Sequence, residues 1–171
     1  MFANIVLPRV ALALIGTVVA VPVLAQEPVG CDKFKWPIDH QRALLARAAL
    51  VAAGAEVALP LAGAVRLQLS PFAEVKLPMS PSRPPKGEGS FAGFVRYAAL
   101  PHAGSYQVTV SEPAWIDVVQ DGRRAKATAF TGATGCDGIR KSVKFDLAAS
   151  VFVIEISGAA TRDIAIAITP D

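Results

Sequence analysis

The sequence predicts a mainly β fold: a single antiparallel β-sandwich of jelly-roll type with one short N-terminal helix. Three observations carry this expectation. Short runs of alternating apolar and polar residues recur from residue 56 to the C-terminus, Gly- and Pro-rich turns separate them, and no helical pattern intervenes. The gaps are too short for the crossover helices a parallel sheet requires. Of the 171 residues, 53% are hydrophobic, 18% charged and 7% aromatic. That apolar share excludes a disordered chain, and only two cysteines exclude a small disulfide-dense scaffold.

Residues 1–25 read as a secretory signal peptide. Arg9 is the only charge, Val10 to Val23 is apolar apart from Gly16, Thr17 and Pro22, and Val23-Leu24-Ala25 offers a cleavage site before Gln26. An uncleaved membrane anchor is the alternative, but the run falls short of the ~20 residues that span a bilayer. No stable membrane anchor is then expected after cleavage, and the destination is the periplasm or the medium. Val29-Gly30-Cys31 half-matches a lipidation box, with Pro28 standing where a Leu-like residue is wanted. Export favours an oxidised pair, so Cys31 and Cys136, the only cysteines, are expected to form a disulfide. With two histidines in the chain, zinc bound through these cysteines is poorly supported.

About 146 residues remain, enough for one domain with a real core. They carry 16 basic and 14 acidic residues, a surplus too small to argue for nucleic acid. The segment 26–55 holds the predicted helix. Pro37 suits a first helical position, Leu44 to Leu50 are strong helix formers, and the helix is expected to run through Ala52 and end at Gly54. The sandwich is expected over 56–171. Val65, Leu67 and Leu69 alternate with Arg66 and Gln68, and residues 72–77 form another short strand candidate. Pro78, Pro81, Pro84 and Pro85 make residues 78–90 an irregular surface loop. Further strands are expected at 91–98, 105–110, 115–120, 125–130, 142–147, 152–157 and 163–168. Asp121-Gly122 is a two-residue hairpin signal that sets Gln120 opposite Arg123 and Asp117 near Lys126.

Most enzyme classes fail on inventory. His40 and His102 are not in ligand-spaced positions, and there is neither a Gly-x-Ser-x-Gly elbow nor a phosphate-cradling loop. No metal, cofactor or catalytic residue is therefore assigned. Two features support binding instead. Trp115 and Asp117 share one face if Ile116 and Val118 point inward, and a tryptophan beside a carboxylate can hold a sugar; the alternative is a Trp115 packed beneath a loop. Arg123, Arg124, Lys126, Arg140, Lys141 and Lys144 form a basic cluster suited to carboxylates, or simply two solvated strand faces.

Cys31 to Pro37, Tyr106 to Val110, Ala114 to Gly122 and Cys136 to Val143 together resemble a group of short exported proteins of Gram-negative bacteria. Some of that group carry a homogentisate 1,2-dioxygenase designation, which implies iron held by two histidines and a carboxylate in a far longer chain. His40 and His102 would both have to be ligands, leaving none for acid–base work, so that activity is not carried over. The Gly-x-Tyr-x-Val-x-Val run, the Asp-Gly hairpin and the closing Ile-x-Ile-x-Ile strand are also similar to carbohydrate-binding and pre-peptidase-like sandwiches. That similarity implies a fold only.

The sequence thus points to a non-catalytic exported binding module for a glycan, an envelope component or a protein. Trp115, Asp117, Arg123, Arg140 and Lys141 are its candidate contacts. A small hydrolase or metal-dependent oxygenase using Asp39, His40, His102 and Asp117 is one competing class. A structural oligomer subunit is the other.

Overall fold

The computed structural model describes residues 26–58, 63–85 and 89–171. The predicted signal peptide lies outside them. Among the described residues, one α-helix, α1 (Asp39–Leu45), precedes twelve strands. These are β1 (Ala49–Val51), β2 (Glu56–Val57), β3 (Gly63–Gln68), β4 (Ser70–Pro71), β5 (Phe91–Tyr97) and β6 (Gly104–Val110), followed by β7 (Trp115–Gln120) and β8 (Arg123–Arg124). The last four are β9 (Ala127–Gly132), β10 (Lys141–Leu147), β11 (Phe152–Ala159) and β12 (Asp163–Pro170).

Two sheets pack face to face. The first runs β1-β3-β12-β6-β10-β9 and the second β2-β5-β11-β7-β8, with β4 beside β5. β8 and β9 are two halves of one strand that starts beside β7 in the second sheet and finishes beside β10 in the first. Successive long strands otherwise alternate between sheets, which is the jelly-roll path. Their pairings are antiparallel; the two parallel pairings come from the short β1 on β3 and β2 on β5. The core between the sheets is built from alternate residues, among them Val108 and Val110 of β6, Ile116 and Val118 of β7, and Ile154 and Ile156 of β11. Ile164, Ile166 and Ile168 of β12 join them, whereas the intervening Ala165 and Ala167 face outward beneath Ile38, Leu44 and Leu45. Small residues on that side let α1 approach the sheet closely.

The disulfide is present: Cys31 and Cys136 are joined at a Cα–Cα distance of 4.8 Å across 105 positions of sequence. The Asp121-Gly122 hairpin has the expected register, with Gln120 opposite Arg123, and positive φ at both turn residues, 52° and 70°. Three expectations are corrected. The helix stops at Leu45 rather than Ala52, because Ala49, Leu50 and Val51 pair with Val65, Arg66 and Leu67; that pairing overrides Ala-rich helix propensity. Residues 72–77 are not a strand. Pro71 has no N–H to extend the ladder, and a 3-10 turn at Phe72–Glu74 carries the chain off the sheet. The strand expected at 125–130 breaks as it changes sheets, and Asp117 pairs with Arg124 rather than Lys126.

Candidate functional site

Because Ile116 and Val118 enter the core, Trp115, Asp117 and Val119 emerge on the outer face of the second sheet. Glu155 and Ser157 of β11 emerge on the same face, and the register sets Glu155 beside Asp117 and Ser157 beside Trp115. Two carboxylates therefore stand side by side. The segment 75–85 crosses over them as a strap. Its prolines lack N–H groups, so the few amides it turns inward need strong acceptors. The Met79 N–H donates to Glu155 Oε1 at 2.6 Å, and the Ser82 N–H to Asp117 Oδ2 at 2.9 Å. The Ser82 hydroxyl donates to Asp117 Oδ1 at 2.5 Å and accepts from the Trp115 indole N–H at 2.7 Å. Arg124 closes the arrangement, its Nε 3.1 Å from Asp117 Oδ1 and its guanidinium donating to the Ser80 carbonyl.

Both acids are buried, Asp117 at 5% exposure and Glu155 at 2%. Glu155 Oε2 has no hydrogen-bond partner among the described residues. Burial, reinforced by the neighbouring Asp117 charge, holds the Glu155 carboxyl above its ordinary value, against the Met79 N–H and Arg124.

Beside the strap, cations gather on Trp115, which is itself half-buried. The Arg83 guanidinium lies 5.3 Å and the Lys141 ammonium 5.4 Å from its ring centroid. Lys141 also donates to the Ala114 carbonyl at 2.5 Å. Immediately before β10, Arg140 pairs with Glu27 and donates to the Ala133 carbonyl at 3.4 Å. Burial first, then the positive charges of Arg140 and Arg83, hold the Lys141 ammonium below the ordinary lysine value, only partly offset by Glu27. Three like charges thus sit near one another, with Glu27 paired to Arg140 and Asp117 held by Ser82 and Arg124.

The structure thus brings Trp115, Asp117, Lys141 and Arg140 to one end of the sandwich. Arg123 lies apart, at the far end of β7, about 17 Å away at strand rise. The rest of the basic run also disperses: Arg124 is committed to Asp117, and Lys144 pairs with Asp171 at 2.5 Å and lies over Trp36 on the other sheet. Asp39, His40 and His102 do not join Asp117. The first two are exposed on α1 against the first sheet, and His102 is exposed in the β5–β6 loop. Glu155, Ser82 and Arg83 were missed by sequence reasoning. Glu155 left a signal, a lone acid inside the apolar run Val153-Ile154-Glu155-Ile156; the two strap residues left none.

Among the described residues, no group of three or more His, Cys, Asp or Glu could hold a metal ion. No helix among them is long and apolar enough to cross a membrane. The chain matches no protein-family model, no curated protein and no solved structure.

Proposed function

We propose that this chain is an exported, non-catalytic binding module whose ligand is anionic, a glycan or envelope component bearing carboxylate or similar groups. One observation carries the reading: Arg83 and Lys141 flank the Trp115 ring, and Arg140, ion-paired to Glu27, adds its charge beside Lys141. Holding like charges together in partly buried surroundings costs free energy that a bound anion would return. The indole N–H is already committed to Ser82, so an acidic group reaching Arg83 and Lys141 explains the site better than a neutral sugar stacked on a bare ring.

Two carboxylates side by side can also serve as a general acid and a general base. Here both oxygens of Asp117 and one of Glu155 already accept hydrogen bonds from the strap, and Asp117 is further ion-paired to Arg124. The pair therefore serves as an anchor for the strap. Export is supported by the predicted signal peptide together with the disulfide.

Calorimetric titration with oligogalacturonate and with a neutral glucan oligomer of equal length tests the proposal. Binding of the acidic oligomer alone is expected, weakening as salt rises, with Arg83→Ala reducing affinity about tenfold, the loss of one charge-assisted contact. Equal binding of the neutral oligomer, or none of the acidic one, overturns it.

A further inference from the structure

We propose that the strap is a latch, closed when Glu155 carries a proton and loosened when it loses it, and that the latch governs the ligand face at Trp115. The second half of this proposal rests on the binding reading above; the first does not.

Asp117 and Glu155 occupy directly paired positions on β7 and β11, where opposed side chains lie within reach of one another. Of their four oxygens, three accept hydrogen bonds from the strap, and Glu155 Oε2 is buried without a partner among the described residues. Among the described residues, the charged groups facing Glu155 are Asp117 from β7 and Arg124 from β8; β5 presents Phe94, and the strap presents the Met79 amide. With both acids ionised, the pocket holds two negative charges against one guanidinium. The excess charge and the orphan oxygen then call for water, and water reaches them only by lifting the strap. A proton on Glu155 removes the excess charge and gives Oε2 a hydrogen to share with the Asp117 carboxylate, while Oε1 still accepts from Met79. Burial and the adjacent Asp117 favour that protonated form.

The same strap carries Ser82, which holds the indole N–H, and Arg83, which lies over the ring. Closing it assembles the cationic face; lifting it withdraws Arg83 and releases Trp115. Mild acidity therefore tightens ligand binding, and a rise in pH loosens it.

The test uses the ligand-free mature chain, labelled with nitrogen-15, and follows the Trp115 indole and the Met79 and Ser82 amide resonances from about pH 4 to about pH 8. A single shared titration step is expected in the wild type, with faster solvent exchange of both amides on its alkaline side. In Glu155→Gln, which cannot ionise, these resonances should stay at their low-pH positions throughout. Identical profiles in the two proteins, or strap amides better protected at high pH, overturn the latch. In the second arm, oligogalacturonate is titrated by calorimetry at both ends of the range. Affinity should fall about tenfold in the wild type as the latch opens and by less in Glu155→Gln. A latch seen by resonance without binding by either protein overturns the ligand-face half and leaves the latch supported.

Discussion

Over Ala165 and Ala167 of the first sheet lie Ile38, Leu44 and Leu45 of the N-terminal segment; over Asp117 and Glu155 of the second lies the proline-rich strap. The first cover buries apolar side chains and neutral hydrogen bonds, such as Gln41 to Gln107 at 3.1 Å, and is fastened by the Cys31–Cys136 crosslink. Acceptors that are charged when ionised, a serine hydroxyl and one ion pair hold the second. Apolar burial and a covalent bond respond little to pH or salt, whereas a buried carboxylate pair responds strongly. The difference teaches a division of labour: one side of the sandwich is built to stay shut, and the side that carries the cations and Trp115 is built on groups that can change charge.

The comparison can be broken most forcefully at the crosslink. Cys136→Ser should lower stability by up to about 4–5 kcal/mol in the chain-entropy account, measured by urea denaturation of the oxidised wild type against the variant. The Met79 amide resonance should stay in place, since its bond to Glu155 does not involve the N-terminal cover; a shifted Met79 would erase the distinction. Next in size is Asp117→Asn, which removes the anion facing Arg124 and weakens two strap bonds. It should cost about 2 kcal/mol and accelerate proteolysis within 75–85, leaving the disulfide-tied segment intact. Gly122→Val should cost about 1–2 kcal/mol, because φ of 70° strains a β-branched residue although the space around Gly122 is open. Its effect should appear first at Arg124, which the turn aligns with Asp117.

Glu155→Gln is the smallest change and the one of opposite sign. Glu155 binds its proton more tightly in the folded chain than in the unfolded one. Its stabilising contribution is therefore complete below the ordinary carboxylate range and is lost as pH rises through the raised folded value. At neutral pH the amide should stabilise the fold by about 1 kcal/mol, with the advantage shrinking toward acid. Denaturant midpoints across pH check this, and a destabilised variant at neutral pH would show that the ionised carboxylate is the better strap acceptor.

The sandwich was readable because its signals are local. The Ile164-Ala165-Ile166-Ala167-Ile168 alternation announces a strand, Asp121-Gly122 announces a hairpin turn, and two cysteines leave one pairing within the chain. The end of the helix was not readable, since nothing near Ala49 reveals that β3 awaits it. The prolines of 78–85 marked an irregular segment but not the face it covers, which depends on a Glu155 some 70 residues further on. Sequence proximity also misled at the basic run. Arg124, Arg140, Lys141 and Lys144 lie close in the chain, yet the jelly-roll path sends neighbouring strands to opposite sheets, so their charges part company. Trp115 and Lys141 meet only because β7 and β10 begin at the same end of the sandwich.

Lys141→Met tests most directly the claim that the charge-bearing side is built for a ligand. The folded chain disfavours the Lys141 charge through burial and through Arg140 and Arg83, so a neutral side chain of similar length relieves the fold. Urea denaturation and oligogalacturonate calorimetry on the same preparation should show stability unchanged or raised while affinity falls about tenfold or more. Lower stability with affinity retained would make Lys141 a structural prop on Ala114 and contradict the account.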